Sequence, residues 1–285
     1  MALTVNTNTT SLGVQRNLNR ASDALSTSMT RLSSGLKINS AKDDAAGLQI
    51  SNRMTSQIRG QTMAIKNAND AISIAQTAEG AMQEQTNILQ RMRELALQSR
   101  NDSNTVDDRD ALDKEFQSMT KELDRIAAST QLNNKNLLDG TTTTAMVFQV
   151  GSNTGSDNQI SITLTDAMNT SAAGSLSALA GQAITGAASD IEANFSGALT
   201  AIDDALKNIN TTRADLGAVQ NRLTSTIANL QNINENAEAA RSRVQDTDFA
   251  AETAQLTKQQ TLQQASTSVL AQANQLPSAV LKLLQ

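Results

Sequence analysis

The residues with the most obvious capacity for chemistry are oxygen ligands in a short acidic cluster. They are Asp102, Asn104, Asp107, Asp108 and Asp110. A calcium loop of the EF-hand type uses such ligands, but Val106 stands at the fifth position of that pattern and no glycine follows it. Acidic residues here also complement the positive end of a following helix. The cluster therefore favours a solvated loop and a helix start, and we expect no bound metal.

A second candidate for chemistry is the carboxylate pair Asp203–Asp204. Adjacent residues on a helix do not face one another, so this pair makes a poor acid–base couple. The chain has no His, Cys, Trp or Tyr, which removes the usual base near neutral pH, the thiolate nucleophile and the imidazole or thiolate ligands of zinc. It also lacks a glycine-rich phosphate loop. We predict that the protein is not an enzyme, with no catalytic residue, no cofactor and no disulfide.

Charge and hydropathy argue against nucleic acid and membrane as partners. Residues 1–66 carry a modest basic excess, but the chain has almost no aromatic side chains on which bases would stack. No apolar stretch reaches 18 residues, so we predict no membrane insertion. The N-terminus lacks a basic region followed by an apolar run, so no Sec-type signal peptide is predicted, which taken alone would indicate a cytoplasmic protein.

Both ends of the chain carry helical apolar stripes. Near the N-terminus the steps are 4, 3, 4, 4, 3 and 4 through Val14, Leu18, Ala21, Leu25, Met29, Leu32 and Leu36. Near the C-terminus Leu262, Val269 and Leu276 lie seven residues apart, and Pro277 is expected to kink or restart that helix. Each stripe is thin, and isolated helices are marginal in water. We therefore predict that both ends are disordered in the free subunit and become helical on self-association.

Longer helices are predicted between these ends. A capping box at Ser40–Asp43 predicts the start of a second helix, and Thr105–Asp108 predicts the start of a third. The second helix has its apolar positions at Ile50, Met54, Ile58, Ile65, Ile72, Met82, Leu89 and Ala96. Continuous to residue 100, it would be roughly 85 Å long and would need partner helices. From Leu216 to Val244 the mean apolar step is 3.5 residues, as in coiled coils.

The middle of the chain has a different pattern. Ile160, Ile162 and Leu164 alternate with polar residues and follow an eight-residue polar loop, so residues 145–165 are predicted to form a β-hairpin. Residues 170–197 are rich in Ala, Gly and Ser and are predicted to be a short variable tip. The predicted fold is mainly α, with long antiparallel coiled-coil or helical-bundle rods from both chain ends and a small β-hairpin region in the middle. The predicted assembly seam comprises Val14, Leu18, Leu25, Leu32, Leu262, Val269 and Leu276.

Several stretches of the sequence resemble a known protein family residue by residue, beyond the spacing of their apolar positions. Residues 32–48 (LSSGLKINSAKDDAAGL) resemble the N-terminal signature of bacterial flagellins, and residues 90–99 (QRMRELALQS) resemble their second core stretch. Residues 234–243 (NENAEAARSR) and 280–284 (VLKLL) resemble the C-terminal signature and tail. The resemblance covers residues 1–150 and 198–285 in order. The chain is therefore identified as a flagellin of a short form, without large outer domains.

The resemblance implies a structural subunit that polymerises into the extracellular flagellar filament and serves motility. It implies export in an unfolded state by the flagellar type III system, without a cleaved signal peptide. The expected partners are further copies of the chain, sibling flagellins, an export chaperone, and cap and junction proteins. Residues 1–41 and 246–285 would form the inner tube, and residues 42–169 and 198–245 the outer tube.

Host innate immune receptors also recognise flagellins. The resemblance places a receptor-facing patch at Arg91, Leu95 and Glu115 on the outer helices. It places the leucines read by intracellular sensors at Leu281, Leu283 and Leu284. Packing between subunits is the alternative role of these residues, and both roles are compatible.

Two other functions stay open from the sequence. A hook–filament junction protein shares the terminal helices but departs further from these signatures. A secreted coiled-coil protein that never polymerises would share the composition.

Overall fold

Five α-helices make up most of the described residues. The structure is a computed structural model that describes residues 7–141, 145–164, 167–171, 174–185 and 191–283, the side chains of residues 276–283 excepted. The helices are α1 (Thr9–Ser34), α2 (Ala45–Ser99), α3 (Val106–Ser129), α4 (Ile191–Gln245) and α5 (Phe249–Leu283). The mainly α prediction is confirmed. Among these helices none carries an apolar stretch of the length that crossing a membrane requires.

The predicted β-hairpin is present. Strand β3 (Met146–Gln149) pairs antiparallel with β4 (Gln159–Ile162). Ile160, Ile162 and Leu164 are buried while the residues between them are exposed, which confirms the alternation read from the sequence.

A second, smaller hairpin was not predicted. Strands β1 (Gln131–Leu132) and β2 (Lys135–Asn136) are joined by Asn133 and Asn134, which have φ angles of 51° and 59°. Asn tolerates this left-handed region better than most residues. Strands of two residues are too short to give an alternation signal, so the sequence indicated only turn residues here.

The chain forms two compact units. The terminal unit comprises residues 1–58 and 235–285, and the central unit comprises residues 59–234. Helices α2 and α4 contribute residues to both units. The division into inner-tube and outer-tube regions concerns an assembly of many chains, so the boundaries predicted for it stay a prediction.

In the terminal unit α1 and α5 pack antiparallel. The Ser11 hydroxyl donates to Asn274 at 2.9 Å, and Arg31 lies 3.7 Å from Glu252. The side of α1 that contains Ser11 is buried or half-buried at steps of 3 and 4 through Ser11, Val14, Leu18, Ala21, Leu25, Ser28 and Leu32. This is the seven-residue repeat of a left-handed helix pair.

The stripe of α1 differs from the predicted one inside the helix at Met29, and the predicted stripe also ran to Leu36, beyond the end of α1 at Ser34. Met29 is 57% exposed, and the buried residue is Ser28, which is 3% exposed. The prediction followed the apolar residue type, whereas regular steps of 3 and 4 lead from Leu25 to Ser28. The prediction that Met29 packs in the core is therefore wrong. The small polar residue Ser28 lies at that contact.

The start of α2 also differs from the prediction. Asp44 caps the helix, because its Oδ1 accepts the Gly47 N–H at 2.9 Å. Asp43 instead closes the turn before the helix, and its Oδ2 accepts the N–H groups of Asn39 and Ser40 and the Ser40 hydroxyl. The Ser40–Asp43 box is a turn that precedes the helix by two residues. The predicted N-cap, Ser40, lies four residues before the observed N-cap, Asp44.

The core of the central unit is built on one stripe of α2. Its buried positions alternate steps of 4 and 3 through Ala64, Ala68, Ala71, Ala75, Ala78, Met82, Gln85, Leu89, Met92, Ala96 and Ser99. The first five are all alanine. The larger Ile65 and Ile72, which the sequence placed on the seam, are only half-buried beside them. The stripe is therefore narrower and smaller in side-chain volume than predicted.

Helices α3 and α4 cover this stripe, each antiparallel to α2. Gln85 Nε2 donates to the Leu123 carbonyl of α3, and Gln220 of α4 donates to Glu79 at 2.9 Å. Phe116 is the largest of the fully buried side chains. The buried guanidinium of Arg109 donates to the Ser99 carbonyl at 3.1 Å and so satisfies an unpaired group at the end of α2.

The segment between β4 and α4 packs on the core. Leu176, Leu179 and Ile184 are each at most 1% exposed, and a short 3-10 turn covers Ser177–Leu179. Helix α4 begins at Ile191, inside the segment 170–197 that was predicted to be a tip. The Ala/Gly/Ser composition hid the packing of this segment on the core, because neither a helical nor a strand period is visible in it.

The capping box that opens α3 is confirmed. The Thr105 hydroxyl accepts the Asp108 N–H, and the Asp108 carboxylate accepts the Thr105 N–H at 3.0 Å. We expect Thr105→Ala to lower the free energy of unfolding by about 1 kcal/mol, because the cap bond is lost. Urea unfolding followed by circular dichroism measures this. Ser103→Ala, in the loop just before, is the matched control and should change stability by a few tenths of a kcal/mol at most. Equal losses in the two variants would contradict a role for the cap.

Candidate assembly and recognition surfaces

A polar contact joins the start of α1 to α5. Asn8 caps α1 by accepting the Ser11 N–H at 3.0 Å, and its Nδ2 donates to the Ala273 carbonyl at 2.8 Å. The residue four positions after Ala273 is Pro277, which has no N–H and cannot make the helical bond to that carbonyl. Asn8 therefore satisfies a carbonyl that the proline leaves unpaired. Helix α5 continues through Pro277 to Leu283, so the proline does not end it.

The side of α5 that meets α1 is largely polar. Its buried or half-buried positions are Glu252, Leu256, Gln259, Gln263, Ser266, Leu270 and Ala273. Three of these seven residues are apolar. The Arg31–Glu252 pair, whose side chains are 30% and 12% exposed, adds a charged contact. The contact within one chain thus buries little apolar surface from α5.

The predicted assembly seam divides into two groups. On α1, Val14, Leu18, Leu25 and Leu32 are half-buried on the side facing α5. On α5, Leu262 and Val269 lie outside the stripe that meets α1 and are 45% and 47% exposed. The side chain of Leu276 lies outside the described residues. The heptad read from α5 therefore marks a surface that the single chain leaves open to solvent.

The terminal unit exposes other large apolar side chains as well. Leu12 and Met29 on α1 and Phe249 at the start of α5 are each more than half exposed. The chain has only four aromatic residues, all Phe. One of these four, Phe249, is exposed although Phe is usually buried. Apolar side chains repeated along exposed helix faces are typical of protein–protein contacts.

The predicted receptor patch is partly at the surface. Arg91 donates through Nε and Nη2 to Glu115 Oε1 at 3.2 and 2.9 Å, and through Nη1 to Glu94 at 3.0 Å. The bond to Glu115 is the main cause that raises the pKa of Arg91. Leu95 is 0% exposed and belongs to the core. In the single chain the surface part of the patch is therefore the Arg91–Glu115 ion pair, and the placement of Leu95 on that surface is wrong.

The C-terminal leucines are described only in part. Leu281 and Leu283 lie in α5, but their side chains are outside the described residues, as is Leu284 entirely. Their role as sensor contacts stays a prediction.

The acidic residues near α3 hold backbone and side chains in place. Asp108 caps the helix, and Asp102 lies 3.3 Å from Arg100. Asp110 accepts the Thr185 hydroxyl at 2.6 Å. No group of three or more acidic side chains is arranged for a metal ion in the part of the chain that the structure describes. Asp203 instead pairs with Arg93 at 3.4 Å.

Both ends of the chain match family models. Residues 5–143 match the model described as the bacterial flagellin N-terminal helical region, and residues 199–284 match the C-terminal helical region. A flagellin of Halalkalibacterium halodurans is 45% identical over 283 residues and covers 99% of each chain. Flagellin D of Vibrio anguillarum is 42% identical over 378 residues with both chains fully covered. That alignment is longer than this chain, so the Vibrio relative carries extra residues.

A solved structure shares the fold. It is described as a flagellar hook-associated protein of Vibrio parahaemolyticus, with a TM-score of 0.59, 72% of this chain covered and 100% of that chain. Its sequence identity is 14%, so this likeness shows the fold alone.

The Asn8–Ala273 contact predicts an energetic coupling between Asn8 and Pro277. Asn8→Ser keeps a good helix cap but removes the amide donor. We expect it to lower the free energy of local opening at the α1–α5 contact by about 1 kcal/mol, measured by native-state hydrogen exchange. In a Pro277→Ala chain, the new N–H takes over the Ala273 carbonyl, so the same change should cost less. Equal losses in the two backgrounds would show that the proline plays no part.

The Asp43 turn predicts a pH dependence. Bonds from the Ser40 N–H and hydroxyl, and then from the Asn39 N–H, lower the pKa of Asp43 below its usual 3.8. A lowered pKa stabilises the turn above the unfolded pKa, and this stabilisation is lost as the pH falls through the folded pKa. Protection of the Asn39 and Ser40 amides from exchange should therefore fall below about pH 3.8. The Asp43→Asn chain cannot titrate there, and the same fall in that variant would rule the carboxylate out as the cause.

Proposed function

The chain belongs to the bacterial flagellin family, and we propose that the open apolar side of its helix α5 contacts neighbouring copies in the filament. Family membership rests on the two matched models and on relatives that are 40–45% identical over the whole chain. The protein is a structural subunit of the flagellar filament. It polymerises with copies of itself outside the cell.

The main support for the proposed contact is the split of α5 into two sides. One side meets α1 with Gln259, Gln263 and Ser266 at its centre, and the other exposes Leu262 and Val269. Burying apolar surface is the dominant favourable contribution to association. Apolar side chains that a helix leaves outside the contact with its own partner are suited to a partner in another chain.

The exposed residues of α1 fit the same role. Leu12 and Met29 lie outside the stripe that meets α5. In an assembly, α1 would contact α5 of its own chain through one side and a neighbouring chain through another. We assign the inner tube to residues 1–41 and 246–285 and the outer tube to residues 42–169 and 198–245.

We also propose export without a cleaved signal peptide, in an unfolded state. The terminal unit buries few large apolar side chains, so its helices gain little from packing in a free chain. An export chaperone would cover these ends before assembly, and cap and junction proteins would meet the same helices at the filament ends. The chain carries no catalytic activity in this proposal, in line with the structural role of its relatives.

Recognition by host innate receptors is a further part of the proposal. Arg91 and Glu115 offer a charged pair on the exposed side of α2 and α3. Leu95, which is buried, would contribute only through the core. Intracellular sensors would bind Leu281, Leu283 and Leu284 only after the C-terminal end of the chain has left the filament.

Replacing the exposed apolar residues of α5 tests the proposed contact. We expect Leu262→Ser with Val269→Ser to raise the critical concentration for polymerisation at least tenfold, because burial of two half-exposed side chains contributes on the order of 2 kcal/mol. Seeded growth followed by electron microscopy measures this. The free energy of unfolding of the free chain should change by less than about 1 kcal/mol.

Gln260→Ser with Thr267→Ser is the matched control on the same helix, where both residues are exposed and also seven apart. This pair should polymerise like the unmodified chain. If both double variants polymerised normally, α5 would have to contact its neighbours through another side.

A further inference from the structure

The methionines are the oxidisable sulfur groups of this chain. The sequence has nine Met and no Cys, so its thioethers are its only sulfur atoms. Peroxides convert a Met thioether to the sulfoxide, and methionine sulfoxide reductases reverse the change. The oxidant must reach the sulfur atom, so susceptibility follows exposure of the side chain. The structure therefore indicates which methionines react.

The described methionines differ widely in exposure. Met29 on α1 and Met63 on α2 are 57% and 54% exposed, whereas Met82 and Met92 are 0% exposed. The other described methionines are buried or half-buried: Met54, Met119, Met146 and Met168. Among the described residues, peroxide should therefore oxidise Met29 and Met63 first.

The two exposed methionines lie in different surroundings. On a helix, the neighbours on the same face are three and four residues away. For Met63 these neighbours include Arg59 and Lys66, both exposed, so charged groups keep that face solvated. For Met29 all four such neighbours are uncharged, and they are Leu25, Ser26, Leu32 and Ser33. The face of α1 around Met29 can therefore lose its water without burying a charge.

Met29 also lines an open groove of about 550 Å³ beside the second half of α1. Leu25 supplies a second apolar side chain to this groove, and the other lining residues are Ser, Thr and Asn. A second copy of the chain is the occupant that fits, because flagellins polymerise and α5 of a copy exposes the uncharged apolar Leu262 and Val269. This step rests on the proposed contact of α1 with a neighbouring chain.

Oxidation changes Met29 from an apolar to a polar side chain. The sulfur lone pair attacks one oxygen of hydrogen peroxide, so that an S–O bond forms and the O–O bond breaks. The thioether loses two electrons and the peroxide gains them. The departing hydroxide takes the proton from the new S–OH group and leaves as water. The sulfoxide oxygen accepts hydrogen bonds from water, and burial of Met29 against apolar side chains then requires removal of that water.

We propose that Met29 is a peroxide-sensitive site that regulates polymerisation, because its sulfoxide keeps this face of α1 from packing against a neighbouring copy. Oxidised free chains stay out of the filament, and reduction of the sulfoxide allows them to enter it. In the assembled filament the neighbouring copy shields the sulfur atom. Met63, on a solvated face of α2, is oxidised without this consequence.

Partial oxidation of the unmodified chain tests the proposal. Free chains are treated with hydrogen peroxide until Met29 is partly converted, the peroxide is removed, and seeded growth is followed by sedimentation of the filaments. Mass spectrometry of peptides measures each sulfoxide in both fractions. The ratio of sulfoxide to Met at residue 29 should be roughly tenfold lower in filaments than in free chains, because the buried contact excludes the oxidised form. The ratio at Met63, the internal control, should be the same in both fractions.

Two variants assign the effect to one sulfur atom. Leu has a volume close to that of Met and cannot be oxidised in this way. Peroxide should raise the critical concentration of Met63→Leu chains as it does for the unmodified chain. The critical concentration of Met29→Leu chains should be the same before and after peroxide. Methionine sulfoxide reductases should restore polymerisation of the oxidised unmodified chain.

Equal sulfoxide ratios at residue 29 in filaments and in free chains would overturn the proposal. So would a Met29→Leu chain whose critical concentration rises with peroxide as much as that of the unmodified chain. The contact of α5 is judged by its own variant. Normal incorporation of Met29 sulfoxide, together with a raised critical concentration for Leu262→Ser with Val269→Ser, would refute the Met29 site alone and leave the α5 contact in place.

Discussion

The narrow alanine stripe of α2 is the surface on which the central unit depends. Ala64 to Ala78 present only methyl groups at five successive contact positions, so the burial of any one of them contributes little. Stability must therefore come from the length of the stripe and from hydrogen bonds made inside the core. The Gln85 Nε2 donates to two carbonyls there, those of Leu123 and Met168, although its Oε1 is buried without a hydrogen-bond partner among the described residues. With a single fully buried aromatic residue among the described ones, Phe116, the fold relies on repetition of small contacts in place of a few large ones.

The terminal unit divides its apolar surface differently. Its two helices meet through a face on which α5 is mostly polar apart from Leu256, Leu270 and Ala273, and Leu262 and Val269 of α5 remain outside that face. If α5 contacts neighbouring copies as proposed, burial of Leu262 and Val269 is available only to the assembly, and this would favour association between chains over packing within one chain.

Structural features that depend on residues close in the sequence were predictable, and features that depend on distant residues were not. The Thr105 box and the β3–β4 hairpin depend on residues close in the chain, and both are present as predicted. The error at Met29 arose because residue type was weighed above the seven-residue spacing. Burial of Leu95 and the hydrogen bond from the Ile184 N–H to Asp113 depend on partners far away in the sequence. No period within a short window indicates which face of α2 its neighbours cover, and the family resemblance alone placed Leu95 at the surface.

Pro277 in α5 helps to fix the register of α1 against α5, which the seven-residue repeat of the two helices does not fix. The stripes of α1 and α5 repeat every seven residues, so a slip of one repeat would preserve most of the side-chain packing. The carbonyl of Ala273 does not repeat, because the chain has one proline and hence one carbonyl released in this way. A shifted pairing would leave that carbonyl without Asn8. A residue usually regarded as a defect in a helix therefore helps here to fix the register of α1 against α5, together with the Ser11–Asn274 hydrogen bond and the Arg31–Glu252 ion pair.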